Sequence, residues 1–127
     1  MPNLMQNLLL VMLGASLGGA CRYLFTLIET QLSTPTQIST LLVNIIGGLL
    51  AGIIAAYLLS KPDQALRLFL IVGFCGGLTT FSSFSLEAMK LLQNREFLTA
   101  FLLIIFHFIG AIGATFIGFI VTQRFIS

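Results

Sequence analysis

The chain has 127 residues, 57% of them hydrophobic and only 8% charged, with a formal net charge of +2 and no tryptophan. Its mean hydropathy is +1.07; a soluble domain of this length cannot cover its surface with so few charges, so the class is integral membrane, all-α, in the lipid bilayer. The basic residues are scattered without a run, which excludes nucleic acid as a partner.

A spanning helix needs about 20 mainly apolar residues, and four segments qualify: residues 7–28, 39–59, 66–93 and 97–120. They leave only short loops, so 1–127 reads as a single four-helix transmembrane domain. The first segment lacks a basic amino-terminal region and is too long for the apolar core of a secretory signal, so it is expected to be a retained span. At helical spacing Gly14, Gly18 and Arg22 share one face. A charge at mid-membrane costs about 2.5–3.5 kcal/mol on insertion scales, which requires Arg22 to lie near an interface or to find a partner.

In the second segment Asn44 falls on the face of Gly47, Gly48, Ala51, Gly52 and Ala55, a stripe that allows close helix approach and points the amide into packed protein. The third segment is the unusual one. Roughly 28 residues of unbroken helix would reach about 42 Å against a hydrocarbon core of about 30 Å, so it must tilt strongly or be interrupted. Gly73, Gly76 and Gly77 mark the expected interruption. After them comes Thr79-Thr80-Phe81-Ser82-Ser83-Phe84-Ser85-Leu86-Glu87. Phe81, Phe84 and Ser85 fall on one side at helical spacing and Thr80, Ser83 and Glu87 on another. No wide apolar face is left for lipid, and the span is expected to be central in the assembled protein.

In the fourth segment His107, Gly110, Ala114 and Gly118 share one face, while Phe101, Phe108, Phe116 and Phe119 read as lipid-facing. His107 has two open roles: a neutral residue bonded within the packing, or a residue of a permeation path. Cys21 and Cys75 read as small packing residues.

Lys61, Arg67 and Arg124 fall on one side of the membrane and Lys90 and Arg95 on the other, so the basic excess that fixes orientation is nearly absent. That is the pattern of a chain that inserts both ways round, as an antiparallel dimer requires. Four thin helices cannot enclose a polar path alone; the small-residue faces of the first, second and fourth spans supply sticky surfaces, and a homodimer is the simplest way to enclose the third span.

Lipid cannot satisfy hydroxyls or unwound backbone, so the string from Gly76 to Glu87 belongs inside protein or along a polar path. Asn44 and the Ser and Thr hydroxyls offer donors, and an aromatic ring has a positive edge; together they suit a small, partly dehydrated anion. Membrane hydroxyls also bond back to carbonyls one turn earlier, and phenylalanines also merely pack. The whole string, with two glycines before it and a carboxylate after it, favours the path.

Gly76-Gly77-Leu78-Thr79-Thr80-Phe81-Ser82-Ser83-Phe84-Ser85 closely resembles the signature of the Fluc (CrcB-like) fluoride channels. The likeness includes Arg22-Tyr23 closing the first span, Val43-Asn44 followed by Gly47-Gly48 in the second, and Glu87. This resemblance implies a four-span subunit with an interrupted third helix in an antiparallel, dual-topology homodimer of the inner (plasma) membrane. It implies two fluoride pathways, with Phe81 and Phe84 presenting ring edges, Asn44 donating a hydrogen bond, and Thr80, Ser82 and Ser83 forming a hydroxyl track. Glu87 and Arg22 match polar positions near the pore and its vestibule. A structural sodium ion, held by main-chain oxygens of Gly76 and Thr79, is implied at the dimer centre. The implied role is passive export of fluoride that entered as the neutral acid. Ala111 departs from the pattern, since members often carry a hydroxyl there, which leaves part of the fourth-helix lining open.

Other classes fit less well. A small multidrug exporter shares the size and dual topology but needs an acid in mid-span, usually in the first helix, and this chain has none there and no Trp. An intramembrane hydrolase built on Ser83, Glu87 and His107 lacks a nucleophile-positioning turn, and the chain is expected not to be an enzyme. A non-transporting assembly subunit explains the glycine faces and leaves the hydroxyl string without a purpose.

Overall fold

The computed structural model describes residues 3–33 and 38–127, and among them the regular structure is helical, with no strand. Four helices are long and apolar enough to cross a membrane: Leu4–Leu32, Ser39–Ser60, Gln64–Gln93 and Phe97–Ile126. They overrun the segments expected from hydropathy by a few residues at most ends, as helices do when their polar termini extend into the headgroup region. Leu13, Leu17, Phe101, Ile109 and Phe116 are all exposed on the outside of the bundle, the distribution of a protein solvated by lipid rather than by water.

Each helix end has a local cause. The first helix stops where Ser33 turns left-handed at φ 50°. The second begins under a carboxylate: Glu29 Oε1 accepts the backbone N–H groups of Ile38 and Ser39, and Oε2 accepts the Ser39 hydroxyl. This satisfies donors that a helix start leaves open. Asp63 does the same for the third span, accepting the Leu66 N–H at 3.0 Å. A three-residue connection, with Arg95 at φ 58°, joins the third span to the fourth helix.

The third span is two arms. The leading arm is a helical turn Gln64–Leu66, a π-helical stretch Arg67–Cys75 and a last α turn Gly76–Leu78; the trailing arm is the α-helix Phe81–Gln93. Between them Thr79 and Thr80 are extended, at φ −80°, ψ 153° and φ −147°, ψ 119°. The interruption expected from the chain length is therefore present, and its position is corrected. It lies at the two threonines, whereas Gly76 is helical at φ −62°, ψ −37°. Among the described residues no glycine has positive φ. β-branched residues adopt extended backbone readily, and the Asn44 amide described below holds it there.

The glycines serve close packing instead. The first helix lies along the leading arm, where a Cβ on Gly14 would overlap the Phe69 carbonyl and one on Gly18 the Phe74 carbonyl; Gly77 sits equally tight against Ala15. The second helix lies along the fourth, with Gly48 facing the Ala111 carbonyl, Gly52 the Thr115 carbonyl and Gly118 the Leu49 carbonyl. The small-residue faces, expected to serve a homodimer, thus make helix contacts within the protomer.

The trailing arm lies at the edge of the single protomer. It packs mainly on the fourth helix, through Phe84 and Phe108 with ring centroids 6.2 Å apart, and Leu86, Met89 and Leu92 are exposed. Within one protomer only the leading arm and the break are central. The trailing arm keeps an apolar face because its hydroxyl-bearing residues crowd into its first turn.

Candidate functional site

The break leaves backbone groups that no regular helix satisfies, and neighbouring spans supply the partners. Asn44, on the second helix, meets Thr80 twice: Oδ1 accepts the Thr80 N–H at 2.8 Å and Nδ2 donates to the Thr80 carbonyl at 3.1 Å. Arg22, expected to close the first span but lying ten residues before the end of the first helix, donates from Nε to the Gly77 carbonyl at 3.1 Å. That carbonyl belongs to the last turn before the break, and Arg22 thereby finds the partner that its position in the span demands. Among the described residues the Gly76 and Thr79 carbonyls meet no donor.

The trailing arm starts with Thr80 as its cap. Thr80 Oγ1 accepts the Ser83 N–H at 3.1 Å and lies 3.2 Å from both Ser82 Oγ and Ser83 Oγ. Three hydroxyls and the N-terminus of a 13-residue helix are gathered at one point, a combination that favours negative charge. Two other hydroxyls of the string bond back one turn: Thr79 to the Cys75 carbonyl at 2.8 Å and Ser85 to the Phe81 carbonyl at 2.9 Å. The plain packing role expected as an alternative therefore holds for Thr79 and Ser85 but not for Thr80, Ser82 and Ser83.

Thr79 and Thr80 border a cleft of about 500 Å³ whose lining also includes Asn44, Phe81, Phe84 and His107, while Ser82 and Ser83 stand behind Thr80 and do not line it. Gly76 also lies on it. The two phenylalanines differ sharply. Phe81 is 72% exposed at the cleft mouth, while Phe84 is 7% exposed, with ring centroids 5.5 Å from Phe81 and 4.5 Å from the His107 imidazole. Glu87 and Arg22 do not line the cleft. Glu87 accepts the Thr40 hydroxyl at 2.7 Å, one turn before Asn44 on the second helix, so the polar seam between the second helix and the trailing arm runs from Asn44/Thr80 to Thr40/Glu87. Arg22 holds the leading arm from the other side.

Thr40 is a residue that sequence reasoning missed, although it sits four positions before Asn44 on the same face and that spacing could have found it. His107 is buried and its Nδ1 lies 3.2 Å from Asn44 Nδ2, which makes it a member of the same seam. Among the described residues no cluster of three or more His, Cys, Asp or Glu side chains could hold a metal ion.

The family model described as "CrcB-like protein, Camphor Resistance (CrcB)" matches residues 9–119, a stretch that contains the whole of this site. The chain belongs to the CrcB-like family. It is 37% identical over 123 residues to the "Fluoride-specific ion channel FluC" of Methylobacterium sp. (strain 4-46), covering 95% of this chain and 99% of that one. The protein of the same name from Flavobacterium psychrophilum is 39% identical over 123 residues, covering 94% and 99%. That of Escherichia coli O1:K1 / APEC is 35% identical over 120 residues, covering 93% and 95%. A CrcB-like chain with four spans and bacterial relatives is a multi-pass inner membrane protein, and its family is one of channels, not enzymes.

Proposed function

We propose that this CrcB-like chain is the subunit of a fluoride-selective channel that lets fluoride leave the cytoplasm passively. The observation that carries the proposal is the cleft at the break. It brings a helix N-terminus, the Thr80 hydroxyl with those of Ser82 and Ser83 bonded behind it, and two phenylalanine rings to one place. Such a setting offers N–H, O–H and positive ring edges and no cationic side chain, which suits a small anion that sheds part of its water. The names of the relatives supply the identity of that anion.

The site residues take their roles from this geometry. Phe81 and Phe84 border the ion, Thr80, Ser82 and Ser83 relay it by their hydroxyls, and Asn44 holds the break open beside it. Glu87 extends the seam and Arg22 fixes the leading arm at the vestibule end.

The cleft opens sideways, with Phe81 and Ser82 exposed, and lipid is a poor neighbour for hydroxyls. A second copy running antiparallel would cover it, in keeping with the even distribution of loop charges, and would create two equivalent pathways. Gly76 and Thr79 fit a sodium ion at such an interface. Their carbonyls meet no donor, and at Gly76 an added Cβ would have nothing nearer than 3.8 Å. A bound sodium would supply local positive charge between the two breaks.

The test is a fluoride-electrode efflux measurement on purified protein in liposomes, run beside a chloride control. Rapid fluoride release with retained chloride is expected. Vesicles that hold their fluoride, or that release both halides alike, would overturn the proposal.

A further inference from the structure

His107 is 5% exposed and is the chain's single histidine. Its protonation pattern follows from its neighbours. The Thr80 N–H can only donate, so the Asn44 atom 2.8 Å away is the acceptor Oδ1, and this fixes the orientation of the amide. Nδ2 then has two hydrogens, one directed to the Thr80 carbonyl and the other to His107 Nδ1 at 3.2 Å. Nδ1 therefore accepts. A neutral imidazole with a bare Nδ1 carries its proton on Nε2. Among the described residues, His107 Nε2 is the buried side-chain nitrogen or oxygen that meets no hydrogen-bond partner. Native proteins keep few buried donors unpaired, and each such donor calls for an explanation.

His107 lines the cleft at the break, and its ring lies against Phe84 with centroids 4.5 Å apart. We infer that His107 Nε2–H is a hydrogen-bond donor to the permeating anion, beside the Phe84 ring. The inference rests on the fluoride-channel reading and adds to it a residue on the fourth helix that the family pattern did not supply. It also assigns separate tasks to the two nitrogens. Nδ1 locks Asn44, whose amide is then fully engaged with protein, and Nε2 remains for the ion. A halide accepts such a bond without a covalent step, and the imidazole stays neutral throughout.

A single histidine makes the test direct. Protein carrying isotope-labelled histidine and reconstituted in lipid vesicles yields ring-nitrogen resonances from His107 alone. One nitrogen is expected to be protonated and one bare, and added fluoride, but not chloride at equal concentration, is expected to shift the protonated one. A protonated nitrogen that ignores fluoride, in protein that passes fluoride in the efflux assay, overturns the inference and leaves the channel intact. Wild-type protein that passes no fluoride refutes the channel reading instead, and the resonance shift is scored independently of it.

Flux gives the second readout. His107→Gln keeps an acceptor and a donor on one side chain and is expected to conduct within a few-fold of wild type. His107→Leu is expected to lose about tenfold or more, the effect of one hydrogen bond to an ion. Equal flux in His107→Leu and wild type overturns the inference; a leucine variant that fails to fold leaves the resonance experiment to decide.

Discussion

Asn44 bonds both backbone groups of Thr80, accepting its N–H at 2.8 Å and donating to its carbonyl at 3.1 Å. A side-chain amide has the donor and acceptor pattern of a peptide group, so it can stand in for the missing turn of helix. At Thr80 the interruption of the third span is therefore held by the second helix, through a single side chain.

Replacing Asn44 by Leu leaves two buried backbone groups unpaired, each worth about 1–3 kcal/mol. The expected outcome is loss of fluoride efflux together with a lowered thermal midpoint in detergent. Asn44→Asp retains the acceptor for the Thr80 N–H but has no donor for the carbonyl or for His107, and it puts a negative charge on the cleft. It should abolish efflux while keeping more of the stability than the leucine variant. An aspartate variant with wild-type flux would contradict the assignment.

Phe81 and Phe84 should separate by experiment. Phe81 is 72% exposed and Phe84 7%, so Phe81→Ile is expected to change protomer stability by less than about 0.5 kcal/mol. Phe84→Ile should cost about 1–2 kcal/mol through lost packing. Both should cut fluoride flux with the dimer still assembled, since each removes a ring edge from the path. Size-exclusion profiles and efflux rates on the same preparations check this, and undiminished flux in Phe84→Ile would remove the ring from the pathway.

The glycines give a contrast of their own. At Gly52 a Cβ would overlap the Thr115 carbonyl, whereas at Gly113 an added Cβ meets nothing within 4 Å. Gly52→Val should push the second and fourth helices apart and cost about 2–4 kcal/mol, seen as loss of folded protein on extraction. Gly113→Ala should leave the fold of the protomer unchanged. Equal yields of the two variants would show that the second and fourth helices do not approach as closely as described.

Orientation is testable through loop charge. Lysines inserted as a pair in the connection between the first and second helices should bias every chain to one orientation. Efflux from cells should fall, and co-expression of a chain biased the other way should restore it. Full activity from the biased chain alone would exclude an antiparallel pair.

Hydropathy made the four spans legible, because a bilayer imposes length and apolarity on each span separately. Helical periodicity likewise made the glycine faces of the first, second and fourth spans legible. Length alone points to a break, but Gly73, Gly76 and Gly77 mislead on its position, because small size, and not conformational freedom, is what the packing uses of them. The bonds that hold the break join residues 36 and 55 positions apart, and no local pattern encodes a pairing of that range. The Asn44–His107 contact spans 63 positions, and no local pattern encodes it either.

The π-helical stretch Arg67–Cys75 has an implication for how this span tolerates change. Such coils commonly occur where chain has been accommodated inside an α-helix, and frequently at functional sites. The leading arm therefore holds slack just ahead of the threonine kink. Removing a single residue there would let the arm rewind as ordinary α-helix and swing Gly76 and Thr79 around the axis. The four spans would survive such a deletion, but the cleft would lose its alignment with the second helix.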